Sequence, residues 1–273
     1  MTNEMGDGNI APSSTSTCQL LSAAADRIPH GAIIMSDPTS THKVAAVTGG
    51  VAGIGHGIVS ALTQRHFDVV VCDRTIDPAI AKSMTANVAP GARISFVKND
   101  LADSVDLPRF VDEMFAAFGH PDCLVNNARV SARSRGDLLD VSAESYDLNF
   151  AVNTRGAFFL TQAVCKKMLA TEGEFPESAR SVIFISCSNA VIAAPERGEY
   201  AMSKAAVAMM AKLFAIRLAA DGIAVYEVRP GLIHTPMTGV ARRVLISFSS
   251  RALLLSTAGA RPKMRARRRD NGC

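Results

Sequence analysis

The chain has 273 residues, enough to bury one sizeable α/β domain, and its 48% hydrophobic and 20% charged content is ordinary for a globular protein. No apolar run reaches the length of a membrane span, and no basic stretch precedes an apolar core at the N-terminus, so neither a membrane protein nor a secretory leader is expected. The formal net charge of +4 is misleading, because residues 241–273 carry nine Lys/Arg and one Asp, leaving twenty Lys/Arg against twenty-four Asp/Glu in residues 1–240; such a mildly acidic body offers no basic face to nucleic acid.

Residues 1–41 are rich in Ser, Thr, Ala, Asp and Pro without sustained periodicity and read as a disordered extension. From residue 42 to about 240, short Val- and Ile-rich runs alternate with longer helical patterns. The runs are KVAAVT (43–48), DVVVCD (68–73), RISFV (93–97), CLVNN (123–127), SVIFIS (181–186) and IAVYEV (223–228). Continuous apolar runs of this length predict parallel strands buried on both faces. With crossover helices between them, they predict a single-domain α/β fold, a doubly wound parallel sheet of Rossmann type. The segments 143–171 and 199–220 are predicted helices, apolar over much of their circumference. Such helices must be covered, either by the sheet or by a second subunit. The reading favoured here is a homo-oligomer, a dimer built through these two segments.

The first strand runs into TGGVAGIGHGI, residues 48–58. Gly49, Gly53 and Gly55, with Ile54 between them, fit T-G-x-x-x-G-x-G placed between a strand and a helix. Glycines there permit a tight turn and let backbone N–H groups approach a pyrophosphate at the helix N-terminus. Asp73 ends the second strand, where its carboxylate can accept hydrogen bonds from adenosine ribose hydroxyls and repel a 2′-phosphate. That favours NAD. Arg74 follows at once and can accept a 2′-phosphate, so NADP stays open. Asp100 and Leu101 follow the third strand, where an adenine edge would lie.

Tyr200 and Lys204 are spaced i, i+4 on a predicted helix and share a face. An ammonium beside a phenol favours the phenolate, so Tyr200 is expected to have a lowered pKa and to exchange a proton with a carbonyl or alcohol oxygen. The six cysteines (18, 72, 123, 165, 187, 273) form no CxxC pair, which suggests reduced thiols and a cytoplasmic protein. The histidines show no metal-ligand spacing, so no metal is expected.

The glycine loop, NNA at 126–128, Asn153 in AVNTRG, Tyr200-x-x-x-Lys204 and RPG at 229–231 occur in the order and spacing of the short-chain dehydrogenase/reductase superfamily. Between residues 43 and 240 the chain resembles its 3-oxoacyl-acyl-carrier-protein reductase branch, through CLVNNA, RGDLLD, FFLTQAV and YEVRPGLIHTPMT. The resemblance implies an NAD(P)-dependent oxidoreductase acting on a small carbonyl/alcohol substrate, with a 3-oxoacyl thioester as one candidate. It further implies that Lys204 holds the nicotinamide ribose and that Asn153 supports a water relay to it. By the same resemblance Asn126 and Ala128 border the cofactor, and Pro230, Gly231, Ile233 and Thr235 line its nicotinamide end.

Three departures stand out. Arg129 occupies the position where the family has glycine. Cys187 stands where it has the serine that donates a hydrogen bond to the substrate oxygen. After Met237 the expected last helix–strand unit is missing, and residues 241–273 form an atypical basic tail. Joining the last base of each codon to the first two of the next, from Leu254 onward, permits Pro-Ile-Asp-Arg-Trp-Gly-Ala-Pro-Glu-Asp. That string resembles the family at this point, so the tail reads as out of frame. The alternative to an active enzyme is a catalytically impaired dinucleotide-binding protein of the same fold.

Overall fold

The computed structural model describes residues 42–171 and 180–231. The expected extension at 1–41, the basic tail at 241–273, Ile233 and Thr235 all lie outside the described residues.

Six strands form one parallel sheet. β1 (Val44–Thr48) lies between β2 (Asp68–Asp73) and β4 (Cys123–Asn126), and β3 (Ile94–Lys98), β5 (Ser181–Ile185) and β6 (Ala224–Val228) complete the order 3-2-1-4-5-6. Each predicted run becomes a strand, displaced by at most a residue or two at its ends. The order reverses between β1 and β4. At such a switch point, crossover connections leave in opposite directions and open a crevice beyond the strand ends.

The apolar runs divide by the period of two. On β1 and β2, Val44, Ala46, Val70 and Cys72 face one layer, while Ala45, Val47, Val69 and Val71 face the other. The first layer is filled by α3 (Leu107–Phe118), α5 (Ala157–Ala170) and α6 (Gly198–Leu218), through Phe110, Met114, Leu160, Met168, Val207 and Met210. The second is covered by α1 (Gly53–Thr63) through Val59, with Met84 of α2 (Pro78–Ala86) beside it. Both faces of the central strands are therefore dry, which explains why their sequence does not alternate.

β6 departs from the expected two-sided burial, since Tyr226 is 56% and Val228 47% exposed. It is an edge strand with no outer neighbour among the described residues. No helix among the described residues is long and apolar enough to cross a membrane.

The segment expected as one helix over 143–171 has three parts. They are α4 (Ala143–Phe150), a π-helical stretch (Ala151–Gly156) and α5. A π-turn re-aims the side chains within it and is common at functional sites. Gly156 closes this stretch against the loop after β3. A Cβ there would lie 2.2 Å from the Leu101 carbonyl oxygen, so no larger residue fits.

Candidate active site

β1 delivers Thr48 to the switch point, where the chain must turn sharply. Gly49 adopts φ +65° and Gly53 φ +55°, a left-handed region that costs residues with a Cβ. A Cβ on Gly55 would sit 2.0 Å from the Gly49 carbonyl oxygen. That glycine therefore lets α1 close onto the loop. α1 starts without a side-chain cap and with no acidic residue in its first turn, so its positive end is open to an anion. The loop is locked from the β4 side. Asn127 Nδ2 donates to the Thr48 and Gly49 carbonyls at 2.9 and 3.0 Å, and Thr48 Oγ1 accepts from the backbone N–H of Asn127 and Ala128.

A cleft of about 390 Å³ opens beside this loop. Gly49, Gly53, Ile54, Asp73, Arg74, Asp100, Leu101 and Ala128 all border it. Of the other described residues expected to bind the cofactor, Tyr200, Lys204, Pro230 and Gly231 lie beyond it, and two nearer ones do not border it either. Gly55 is packed behind the loop, and Asn126 turns its amide to Thr161 Oγ1 of α5 at 2.9 Å. Thr48, Asn99, Asn127, Arg129, Val130 and Val152 also line the cleft.

The residues present suit a dinucleotide. The glycines shape a cradle that a Cβ would fill, and the Asp73 carboxylate stands at the far end, accepting from Val51 N at 3.4 Å. Asn99 keeps a buried Oδ1 with no donor among the described residues. Asn99 and Asn127 escaped the sequence reading because an isolated asparagine after a strand carries no period and no spacing. The NNA motif pointed to the right turn; only the strand's pleat tells which asparagine faces the cleft.

Beyond Val130 lies the second group of candidates. Asn153, on the π-helical stretch, accepts from Val130 N at 2.8 Å and donates to Val130 O at 3.0 Å and Ser203 Oγ at 2.9 Å. Ser203 in turn donates to the Tyr200 carbonyl at 2.8 Å. Val130 thus joins the cleft to α6, whose inner face carries Tyr200, Ser203 and Lys204, all buried. Lys204 Nζ donates to the Ile185 carbonyl at 2.9 Å and lies 6.0 Å from the Tyr200 ring centroid. Cys187 follows β5 in an extended conformation, its sulfur 3.8 Å from Ser188 Oγ. Ser186 faces elsewhere and donates to Glu227 on β6. Pro230 closes the group by accepting from Ser188 N at 3.1 Å, with Gly231 next to it.

The electrostatics differ from the sequence expectation. Burial pushes the Tyr200 hydroxyl up to about 12; Cys187 adds to the rise and Arg129 opposes it. The expected lowering by Lys204 is not found, because desolvating a phenolate outweighs the charges around it. Burial also brings Lys204 down to about 7, with Arg129 contributing in the same direction. Burial alone would raise the Cys187 thiol, but the Asn189 backbone, Ser188, Tyr200 and Arg197 together hold it below its usual value. Arg129 therefore acts inward: it borders the cleft, and its charge reaches both Tyr200 and Lys204.

Comparison with known proteins agrees with this architecture. The sequence profile of the short chain dehydrogenase family matches residues 43–244. Oxidoreductase UcpA of Escherichia coli K12 is 30% identical over 225 residues, covering 82% of each chain. The 2-(R)-hydroxypropyl-CoM dehydrogenase of Xanthobacter autotrophicus is 32% identical over 197 residues, 72% of this chain and 76% of that one. Among solved structures, a 3-oxoacyl-[acyl-carrier protein] reductase from Brucella melitensis in complex with NAD is similar at 39% identity and a TM-score of 0.72, covering 80% of this chain and 84% of that one. Since the profile spans the glycine loop, the cleft and the Tyr200–Lys204 pair alike, the chain belongs to the short chain dehydrogenase family.

Proposed function

We propose that this chain interconverts a ketone and a secondary alcohol, with NAD in the cleft at Gly49–Gly55 and Tyr200 as the proton-transferring residue. The observation that carries this reading is the placement of Tyr200 and Lys204 on the buried face of α6, joined to the cleft through Asn153 and Val130. The nicotinamide, when bound, supplies or accepts the hydride. In reduction, Tyr200 gives its hydroxyl proton to the carbonyl oxygen as negative charge develops there. A phenol with a pKa near 12 is protonated at neutral pH and ready for that direction. Alcohol oxidation needs the phenolate, so its rate rises with pH toward that value.

Lys204, brought down to about 7 by burial, is only partly an ammonium at neutral pH and has its Nζ 6.0 Å from the Tyr200 ring centroid, and Asn153 braces the turn behind it. Asp73 supports NAD over NADP, with the adjacent Arg74 leaving a minor use of NADP. A 3-oxoacyl thioester is the substrate class to try first, given the likeness to the Brucella melitensis reductase. The test is NADH oxidation with acetoacetyl thioester. Tyr200→Phe is expected to lower kcat by about a hundredfold or more, the usual contribution of a positioned acid. Asp73→Ala is expected to weaken NADH binding more than NADPH binding. Tighter NADPH binding by the unaltered protein would overturn the choice of NAD.

A second reading has its own support. Cys187 and Arg129 both disturb positions next to Tyr200, as expected for a chain that binds the dinucleotide without turnover. Saturable NADH binding with no turnover on any carbonyl would favour it.

A further inference from the structure

Two loops meet at the mouth of the candidate site. Gly136 N donates to the Glu196 carbonyl at 3.2 Å, and Gly198 packs so tightly on Leu138 that a Cβ there would lie 2.3 Å from the leucine Cδ1. This clamp sets Arg135 of one loop beside Arg197 of the other. The Arg197 guanidinium lies 5.4 Å from the Tyr200 ring centroid. Its Nε is buried with no hydrogen-bond partner among the described residues and forms a loose ion pair with Glu196 at 3.7 Å. The other Glu196 oxygen has no donor among the described residues. Arg135 forms no close ion pair among the described residues; burial and the Arg197 charge lower its pKa, and the Glu196 carboxylate opposes them.

Four other arginines form close carboxylate pairs. Arg93, Arg109, Arg217 and Arg229 pair with Asp68, Asp106, Asp221 and Glu227. α6 also begins directly after Arg197 with no side-chain cap, adding the positive end of a 21-residue helix. Arg135 and Arg197 thus meet at the approach to Tyr200 with Glu196 as their shared acidic neighbour, loosely placed at 3.7 Å from Arg197, and with Glu199 in the first turn of α6. Adjacent cations repel and cost stability unless an anion offsets them.

We propose that the substrate carries an ionised carboxylate close to its carbonyl, and that Arg135 and Arg197 hold this carboxylate while the carbonyl oxygen meets Tyr200. The proposal rests on the oxidoreductase reading above but puts short oxo acids, which carry a free carboxylate, ahead of the thioester named there as the first substrate to try. A guanidinium presents a planar fork that matches a carboxylate and cannot lose its charge, so the pair selects for the anion and orients the neighbouring ketone. The reaction balances: hydride passes to the carbonyl carbon, the Tyr200 proton passes to its oxygen, and the carboxylate is unchanged.

The test compares acetoacetate with ethyl acetoacetate, the same ketone with and without the charge, using NADH and the full chain. The kcat/KM for acetoacetate is expected to exceed that for the ester at least tenfold. Arg135→Ala and Arg197→Ala are each expected to reduce that ratio at least fivefold, and Arg135→Lys to keep part of it. An ester used as well as the acid, or a ratio unmoved in both alanine variants, overturns the proposal. Should neither ketone be turned over, calorimetric titration of the NADH-loaded protein decides separately. Saturable acetoacetate binding that weakens in Arg135→Ala upholds the carboxylate site while turnover fails, and absence of saturable binding overturns it.

Discussion

In the proposed reaction Cys187 takes the place of the hydrogen-bond donor to the substrate oxygen, and its surroundings make it a poor one. A thiol is a weak donor, and a thiol held below its usual pKa is more often a thiolate, which cannot donate at all. Its charge also pushes Tyr200 further up. Loss of one good donor to a developing oxyanion costs about a hundred- to a thousandfold in rate. Cys187→Ser is therefore expected to raise kcat for ketone reduction by about tenfold or more, a margin below the full donor loss, while Ser188→Ala changes little. An unchanged Cys187→Ser variant with an inactive Ser188→Ala variant would assign the donor to Ser188, whose hydroxyl lies 3.8 Å from the sulfur. Arg129 acts on the same pair of titrations. Its positive charge lowers both Tyr200 and Lys204, so Arg129→Gly is expected to raise both. The rising limb of alcohol oxidation should then move to higher pH, read from kcat/KM against pH. The same change removes a long side chain from the cleft wall and is expected to tighten NADH binding. An unmoved pH profile would show that Arg129 turns away once the cofactor is bound.

Among the elements, α1 tests how far the loop depends on close approach. Gly55 and Gly57 are two residues apart on the same helix, and their surroundings are opposite. A Cβ at 55 meets the Gly49 carbonyl oxygen at 2.0 Å, whereas at 57 nothing lies within 4 Å. Gly55→Ala must push α1 off the turn, with an expected cost of about 1–3 kcal/mol, as for an overpacked core site, and loss of NADH binding. Gly57→Ala is expected to stabilise the chain by about 0.5–1 kcal/mol, since alanine loses less backbone entropy in a helix interior. Thermal unfolding of both variants measures the contrast. A Gly55→Ala protein as stable as Gly57→Ala would mean that α1 is not packed on the turn. The π-helical stretch belongs to the same scale. It places Asn153 against both Val130 and Ser203, and so ties the end of β4 to α6.

For the whole molecule, the apolar helices leave a large exposed surface among the described residues. Along α6, Met202, Met209, Leu213 and Ile216 are exposed, the last at 79%, while Tyr146 of α4 and Phe159 of α5 are exposed on the helices beside it. Large apolar patches on a single chain mark association surfaces. The chain is expected to sediment as a homodimer, and Leu213→Asp with Ile216→Asp is expected to give a folded monomer, with circular dichroism as the check on folding. A monomeric unaltered protein would show that something other than a second copy covers these helices.

The sequence alone determined the strands, the parallel sheet and the glycine turn. Each rests on a local pattern, namely a continuous apolar run, a period, or a residue without a Cβ. The spacing of Tyr200 and Lys204 was legible for the same reason, since i and i+4 share a helix face whatever surrounds them. Only the tertiary structure decided their protonation, because desolvation depends on what packs around a side chain and not on its neighbours in sequence. It also decided that Asn127 and not Asn126 faces the cleft, that Asn153 sits on a π-turn, and that Arg129 reaches inward to Tyr200. The pairing of Arg135 with Arg197 is the clearest case, for two residues sixty-two positions apart become neighbours through a loop contact that neither segment's composition announces.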